Sequence, residues 1–525
     1  MTQAFTWEKA REELTYRRNR ALTHGGERAV EKQRSQGRGV VRERIGMLAD
    51  PGSFLEIGTM AIDHRFDSQG KELEPTPASY IMGLAEVDGR PVALGGEDFT
   101  VSAGHTIGLD RKKGGMGGFL EDLAHEYRIP LMIFVEGVGG GVGMQQTTGH
   151  APIVSSASFG RSYQLLGEVP VIAAGMGACA GGSAGRLVIS HFSIMTRETA
   201  CVFAGGPPVV ERALGHRINK FQLGGASIHT QLSGTVDNVA EDEADAVRQM
   251  KQFLSYFPQN VWEMAPFVET GDPPDREDDI LLRLIPEDRR QAYDSHDIIE
   301  VIFDRGSFFE IGPDWGRSLI VGPARIGGYS VGVLASNPMY IGGALDAQAS
   351  QKQARFIELC DTFNLPIVYL VDVPGFMIGE AAEREGTLRK GMRALQAMME
   401  STVPMVTVHM RKAFGMACNS TANPDRLHLR IGWATGEFGD MPVEGGVFAA
   451  FRREIESAED PDEYRRQVEA KLLEDSSPWK TAEAFGLEEM IDPVETRRYV
   501  YRFVAAAQGA IRSGLGKKAR FGTRV

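Results

Sequence analysis

Apolar and polar positions along this chain follow three different rhythms. In "IMGLAEVDGRPVALGGEDFTVSAG" and "IVGPARIGGYSVGVLASNPMYIGGAL" two apolar runs flank a short turn, "DGR" or "GGY", which predicts a hairpin in each. Four later runs are apolar without alternation: "RIPLMIFVEGVGGG", "EVPVIAAGMGACAGGS", "NLPIVYLVDVPGF" and "TVPMVTVHMRKAFGMA". Such runs, each closing on glycine, predict strands covered on both faces. Segments such as "AQASQKQARFIELCDTF" and "GTLRKGMRALQAMMEST" place apolar residues three and four apart, the period of a helix with one buried face. Strands alternating with helices predict an α/β fold with parallel pairing and helical crossovers.

The predicted elements come twice, in one order. "DPGSFLEIG" starts at Asp50 and "DRGSFFEIG" at Asp304, with seven of nine letters shared. Hairpin, first apolar strand and second apolar strand then follow in each half. Setting Pro170 against Pro404 puts Gly181 opposite Gly415 and Gly182 opposite Met416. Four blocks in preserved order indicate a tandem duplication. The expected division is 1–268, a linker at 269–290 ("ETGDPPDREDDILLRLIPEDRR"), and 291–525. "RREIESAEDPDEYRRQVEAKLLEDSS" is expected as one exposed helix, its charges a solvated face.

Composition narrows the class. With 525 residues, 42% of them hydrophobic, the chain can bury more than one core. A net charge of −13 argues against a general nucleic-acid binder. The first twenty residues lack a signal-peptide core, and "VPVIAAGMGACAGGSAGRLVIS" is broken by glycines and Arg186, so no membrane span and a cytoplasmic location are expected. Cys179, Cys201, Cys360 and Cys418 form no CxxC pair, so neither a disulfide framework nor a metal site is expected.

The glycine turns are the candidate chemistry. A turn between a buried strand and a helix leaves N–H groups free to bind an anion or a developing oxyanion. Glycine also serves merely to permit a tight turn, so one such turn says little and a matched pair says more. HExxH and GxxxxGK[ST] are both missing, and "GVGGGVG" is only a loose dinucleotide-type pattern.

"GGERAVEKQRSQGRGVVRERIGMLADPGSFLEIG", "EDFTVSAG", "GACAGG", "QLGGASIHTQLSGTVDNVAEDE", "GALDAQASQKQARFIELCDTFNLPIVYLVDVPGF", "TVPMVTVHMRKAFG" and "IDPVETRR" stand in an order that resembles the carboxyltransferase (β) subunits of biotin-dependent acyl-CoA carboxylases, propionyl-CoA carboxylase among them. The resemblance implies two tandem crotonase-like domains with β-β-α superhelical cores. It implies a homo-hexamer within an α6β6 complex, in which a biotin carboxylase/biotin carrier subunit brings carboxybiotin. The N-terminal half would bind the coenzyme A thioester and the C-terminal half biotin, each active site lying between halves of different subunits.

By the same resemblance, Gly181 and Gly182 would hold the thioester oxygen as an enolate forms, and Gly415, Met416 and Ala417 the ureido oxygen of biotin. Val373, Pro374, Gly375 and Phe376 would line the biotin side. Gly139, Gly140 and Gly141 stand where the family commonly has "SGGAR", so the mouth of the acyl-CoA site is expected to differ. "RKAFGMAC" replaces the common "RKAYGGAY", and Cys418 and Asn419 fall where acyl preference is set. Decarboxylase or transcarboxylase subunits, and a noncatalytic scaffold, remain open alternatives. No "MKM" biotinylation phrase is present, so the biotin is expected on the partner.

Overall fold

The repeated nonapeptide folds as a repeated clamp. Asp50 accepts the N–H of Asp88 at 3.0 Å and of Gly89 at 2.7 Å, tying it to the tip of the first hairpin. Asp304 accepts from Gly327 at 2.8 Å and Gly328 at 2.9 Å at the tip of the second. The serine three residues on repeats the correspondence: Ser53 Oγ accepts from Glu86 N–H and Ser307 Oγ from Arg325 N–H, both at 3.0 Å. The phrase recurs because the hairpin that it holds recurs.

The computed structural model describes residues 5–63, 69, 71, 76–104, 118–139, 150 and 159–519. Its two larger sheets share one plan. In the eight-stranded sheet, the hairpin Tyr80–Val87/Arg90–Glu97 is antiparallel; Leu131–Gly137, Val171–Ala180, Phe192–Thr196 and Asn238–Ala240 then add in parallel. In the seven-stranded sheet, the hairpin Leu319–Ile326/Tyr329–Ser336 is followed in parallel by Ile367–Val373, Met405–Phe414, Leu429–Gly432 and Glu489–Met490. Each long central strand also receives a short parallel strand at its end, Cys201–Phe203 on the first and Glu437–Gly439 on the second. Two β-β-α-type units in tandem are the crotonase-like architecture expected from the sequence, with parallel pairing and the helices Ala347–Thr362 and Thr387–Glu400 where the 3.6 period placed them.

The halves meet in an aromatic chain. Phe192 stacks on Phe253 at 4.8 Å between ring centres, Phe253 on Phe257 at 4.4 Å, and Phe257 meets the edge of Phe363 from the second half at 5.4 Å. Arg325 Nη2 donates to Ser255 O at 2.8 Å, and Gly312 N–H donates to Asn238 Oδ1 at 2.8 Å. The acidic stretch 269–290 packs on the second half. Thr270 Oγ1 donates to Asp304 at 2.9 Å, Arg497 Nε donates to Pro273 O at 2.8 Å, and Leu281 is buried. The charged segment expected as one helix is two, Arg452–Ser457 and Pro461–Asp475. Asp460 caps the second by accepting Glu463 N–H at 3.0 Å, and Pro461 starts it, so the chain cannot run through as one helix.

Candidate functional site

Each candidate turn begins where a central strand loses its neighbours. After Ala180, Gly181 takes φ +59°, and the helix Gly182–Val188 follows at once. After Phe414, Gly415 takes φ +61° and opens the short helix ending at Asn419. Positive φ at both positions is a backbone state that glycine adopts without steric cost. In the first turn the N–H of Gly181 donates to Phe203 O at 3.3 Å, and the first intrahelical bond is Gly185 N–H to Gly181 O at 2.9 Å. The N–H groups of Gly182, Ser183 and Ala184 therefore have no acceptor within the helix. Met416 and Ala417 hold the matching places after Gly415.

A loop closes on the first turn, and the second half has a matching loop. Gly139, at φ +71°, lies so near the first turn that a Cβ there would meet Ala180 O at 2.7 Å. The N–H of Val138 donates to Ala103 O at 3.2 Å, in a turn, Ser102–Gly104, whose three residues all have positive φ. In the second half, Gly375 O accepts from Leu345 N–H at 3.1 Å, and Phe376 bridges Leu345 beside the turn Ile341–Gly343. Val373 is buried, Pro374, Gly375 and Phe376 are half-buried, and Met377 and Met416 are exposed. Cys418 is half-buried; Asn419 is exposed, with Nδ2 3.7 Å from Met416 Sδ. Gly140 and Gly141 lie outside the described residues.

A polar layer beneath the turns went unread in the sequence, although acids inside apolar runs ("IFVEG", "YLVDV") carried the signal. Glu136 is fully buried and accepts from Arg44 at 2.6 Å, from Gln33 at 2.9 Å, and from Arg38. Its own N–H donates to Glu97 at 2.9 Å, and Glu97 also accepts from Arg186 at 2.9 Å. Burial raises the Glu97 carboxyl above its ordinary range, against the pull of Arg186. Asp372, equally buried, accepts from Arg411, Tyr293 and the N–H of Lys412. Burial, and then the Asp372 charge, push the Tyr293 phenol well above its ordinary value.

The chain-wide comparison agrees with this duplicated geometry. Residues 32–520 match the carboxyl transferase domain. The propionyl-CoA carboxylase carboxyltransferase subunit of Haloferax mediterranei is 36% identical over 497 residues, which span 94% of this chain and 95% of the relative. The chain belongs to the carboxyl transferase family. A solved transcarboxylase 12S structure, described as a hexamer with methylmalonyl-coenzyme A and methylmalonic acid bound, has a TM-score of 0.89 and 32% identity, covering 100% of both chains. The methylmalonyl-CoA decarboxylase subunit alpha of Veillonella parvula is 34% identical, with 92% of each chain covered.

For a carboxyltransferase, the surrounding side chains matter as much for what they do not offer. Gly181–Gly185 also spell G-x-S-x-G on a strand–turn–helix, the setting of a nucleophile elbow. Ser183, however, is 7% exposed and its hydroxyl is committed to Glu97, so it faces inward and not out of the turn. Burial raises the Cys179 thiol well above its usual value, and its Sγ donates to Val135 O at 3.2 Å. Neither is placed as a nucleophile. Among the described residues no group of His, Cys, Asp and Glu is arranged to hold a metal, and no helix is long and apolar enough to cross a membrane. The donors left without an intrahelical acceptor at the turn are backbone N–H groups.

Proposed function

We propose that this chain is the carboxyltransferase subunit of a biotin-dependent acyl-CoA carboxylase, moving a carboxyl group from carboxybiotin to the α carbon of an acyl-CoA. The observation that carries the reading is the matched pair of strand-end turns, Gly181 at φ +59° and Gly415 at φ +61°, one per sheet, in a chain that aligns end to end with carboxyltransferases. Removing a proton α to a thioester puts negative charge on the thioester oxygen. Donors aimed at that oxygen lower the barrier, and losing one costs about 10²–10³ in rate. In the first turn Gly181 supplies the bend and Gly182 the free N–H, because the Gly181 amide is already bonded to Phe203. In the second, Gly415 supplies the bend, and Met416 and Ala417 supply N–H groups for the ureido oxygen of biotin.

The second turn suits a flat, neutral ring with one acceptor oxygen: two backbone amides with the exposed Met416 side chain between them and solvent. Carboxybiotin, carried by the partner, supplies the activated carboxyl group. Residues 1–268 form the acyl-CoA side and 291–525 the biotin side, joined by 269–290. Val373, Pro374, Gly375 and Phe376 line the biotin side, Gly139 the acyl-CoA mouth, and Cys418 and Asn419 the acyl tail. The assembly is a hexamer, as in the transcarboxylase 12S structure, within an α6β6 complex that includes a biotin carboxylase/carrier subunit, in the cytoplasm.

A second reading runs the same chemistry backwards, as a decarboxylase subunit, and the 34% identity to the Veillonella protein favours it almost equally. One experiment separates them: ATP, bicarbonate and a panel of acyl-CoAs are offered to the chain with and without a biotinylated partner. ATP-driven carboxylation only with the partner, and a blank streptavidin blot for the chain itself, are expected. Release of CO2 from malonyl-type thioesters without ATP-driven carboxylation would transfer the case to the decarboxylase. Activity in neither direction would leave a scaffold.

A further inference from the structure

A carboxylate buried inside an apolar strand must be held by donors, and what it holds in return is informative. Val371 pairs with His409 and Val373 with Ala413, so Asp372 alone faces three residues of the next strand. The bulge takes Lys412 N–H out of the ladder. Asp372 Oδ1 accepts that N–H at 3.0 Å, while Oδ2 accepts from Arg411 Nε and from the Tyr293 hydroxyl, both at 2.9 Å. Three residues beyond Lys412 the chain turns at Gly415. On its other side, the Asp372 carbonyl would stand 2.5 Å from any Cβ at Gly343, so the acid also lies hard against the turn Ile341–Gly343.

We infer that Asp372 is a positioning residue for the second turn: by holding Lys412 N–H across the bulge it sets where the strand Met405–Phe414 ends, and thereby where the amides of Met416 and Ala417 point. Asp372 is fully buried and acts through Lys412. Glu136 is its internal control. Val135 pairs with Gly175 and Gly137 with Cys179, the same bulge, yet the Glu136 carboxylate is held by Gln33, Arg38 and Arg44 from the N-terminal segment. The inference rests on the carboxyltransferase reading, with biotin at the second turn.

The test uses the full chain, methylmalonyl-CoA as carboxyl donor and free biotin as acceptor, and reads turnover and both KM values. No biotin-dependent turnover by the wild type with methylmalonyl-CoA or with longer malonyl-type thioesters would sink the carboxyltransferase reading itself. With an active wild type, Tyr293→Phe removes one hydrogen bond to Asp372 and leaves the carboxylate on Arg411 and Lys412, so it is the variant that should fold. It is expected to lower kcat/KM for biotin about tenfold, the usual weight of a hydrogen bond to a charged group, with KM for methylmalonyl-CoA within about twofold. Asp372→Asn should move the same parameter further, and Glu136→Gln, in which no strand amide loses its acceptor, should leave the biotin parameters at their wild-type values. If Tyr293→Phe lowers the melting temperature but leaves kcat/KM for biotin at the wild-type value, Asp372 is structural only. Equal shifts in both KM values overturn the inference as well.

Discussion

The two halves keep the same backbone and hold it with different side chains. Each has the clamp of an aspartate on a hairpin tip, a one-against-three bulge, and a glycine at φ near +60° where the central strand ends. Beneath that shared backbone the polar layer diverges. Position 177 is glycine, with Glu136 Oε1 only 2.2 Å from where a Cβ would stand; its counterpart, Arg411, is itself the partner of the buried acid. The first half imports arginines from residues 38 and 44, and the second draws one from its own strand. If the working donors are backbone amides, this is the pattern expected: main-chain geometry is kept and the supports are free to change.

The largest test of the comparison is the clamp. Asp304 is 1% exposed and takes, besides the hairpin N–H groups, Arg497 Nη2 at 2.7 Å and Thr270 Oγ1 at 2.9 Å. Asp304→Ala takes from buried Arg497 its nearest carboxylate, leaving it Asp272 at 3.8 Å and backbone carbonyls, and is expected to cost about 3 kcal/mol. Asp50 is less buried and has the hairpin amides as its main partners, so Asp50→Ala should cost much less. Urea midpoints of the two variants at equal protein concentration measure the difference. Equal losses would mean that the clamps are equivalent and that Arg497 contributes nothing.

Next in size is the loss of a donor. Ala417→Pro deletes one N–H in the first turn of a helix; because Ala417 is fully buried and proline disfavours a helical Met416, some loss of stability is expected as well. In the protein that still folds and assembles, carboxyl transfer should fall about 10²–10³-fold. A folded, assembled Ala417→Pro with near-normal turnover would falsify the assignment of the second turn. Met416→Gly keeps the N–H and should keep activity.

Acid should unsettle both halves. Burial holds His191 down to about 3, with Arg355 nearby adding to it, and burial holds His409 down to about 4, with Arg430 adding and Glu488 opposing. Below the ordinary histidine value near 6.5, the unfolded chain binds protons that the folded chain refuses, so stability falls as pH drops from about 6.5 to 4. Each histidine adds a slope of about 1.4 kcal/mol per pH unit over that range. Replacing His409 by Asn should flatten the pH dependence of the urea midpoint by that amount and leave the His191 share in place. An unchanged slope would mean that His409 is protonated in the folded protein.

Periodicity, the repeated phrase and glycine at strand ends sufficed to read the duplicated sheets, because each is a local signal set by one or two residues. The polar layer was harder to read. Glu136 meets Arg44 across 92 positions and Asp372 meets Tyr293 across 79, and no local pattern announces a partner so distant. The break at Asp460–Pro461 was legible and passed over, since a cap followed by proline is a start signal inside a run that otherwise looked continuous. That Gly181 bends the chain while Gly182 carries the free amide could not be read either, because it depends on Phe203 arriving alongside.

The smallest expected effect tests how far the two turns have parted in use. Asn419 ends the short helix after the second turn, exposed, with its amide 3.7 Å from Met416 Sδ. Its counterpart after the first turn is Gly185, which has no side chain and lies 3.5 Å, by an ideal Cβ, from the Phe159 ring. Cys418 likewise stands where the first half has Ala184. Side chains have thus been added to the second helix at the rim where, on the proposed reading, the acyl tail is met. Cysteine in place of the second tyrosine of "RKAYGGAY" opens volume, and Asn419 beside it offers a neutral amide, which together favour an acyl group larger or more polar than propionyl. A pocket distinguishes single methylenes by only about 1–3 kcal/mol, so the preference should be graded. Asn419→Leu is expected to shift the ratio of kcat/KM between a longer acyl-CoA and propionyl-CoA by about fivefold, a fraction of that range. Because the residue is exposed, hexamer assembly should not change. Gly185→Ala adds one methyl at ordinary contact distance and should leave the ratio alone. A wild type that already prefers acetyl- or propionyl-CoA, or a ratio that Gly185→Ala moves as much as Asn419→Leu does, would put the acyl tail somewhere other than beside Asn419.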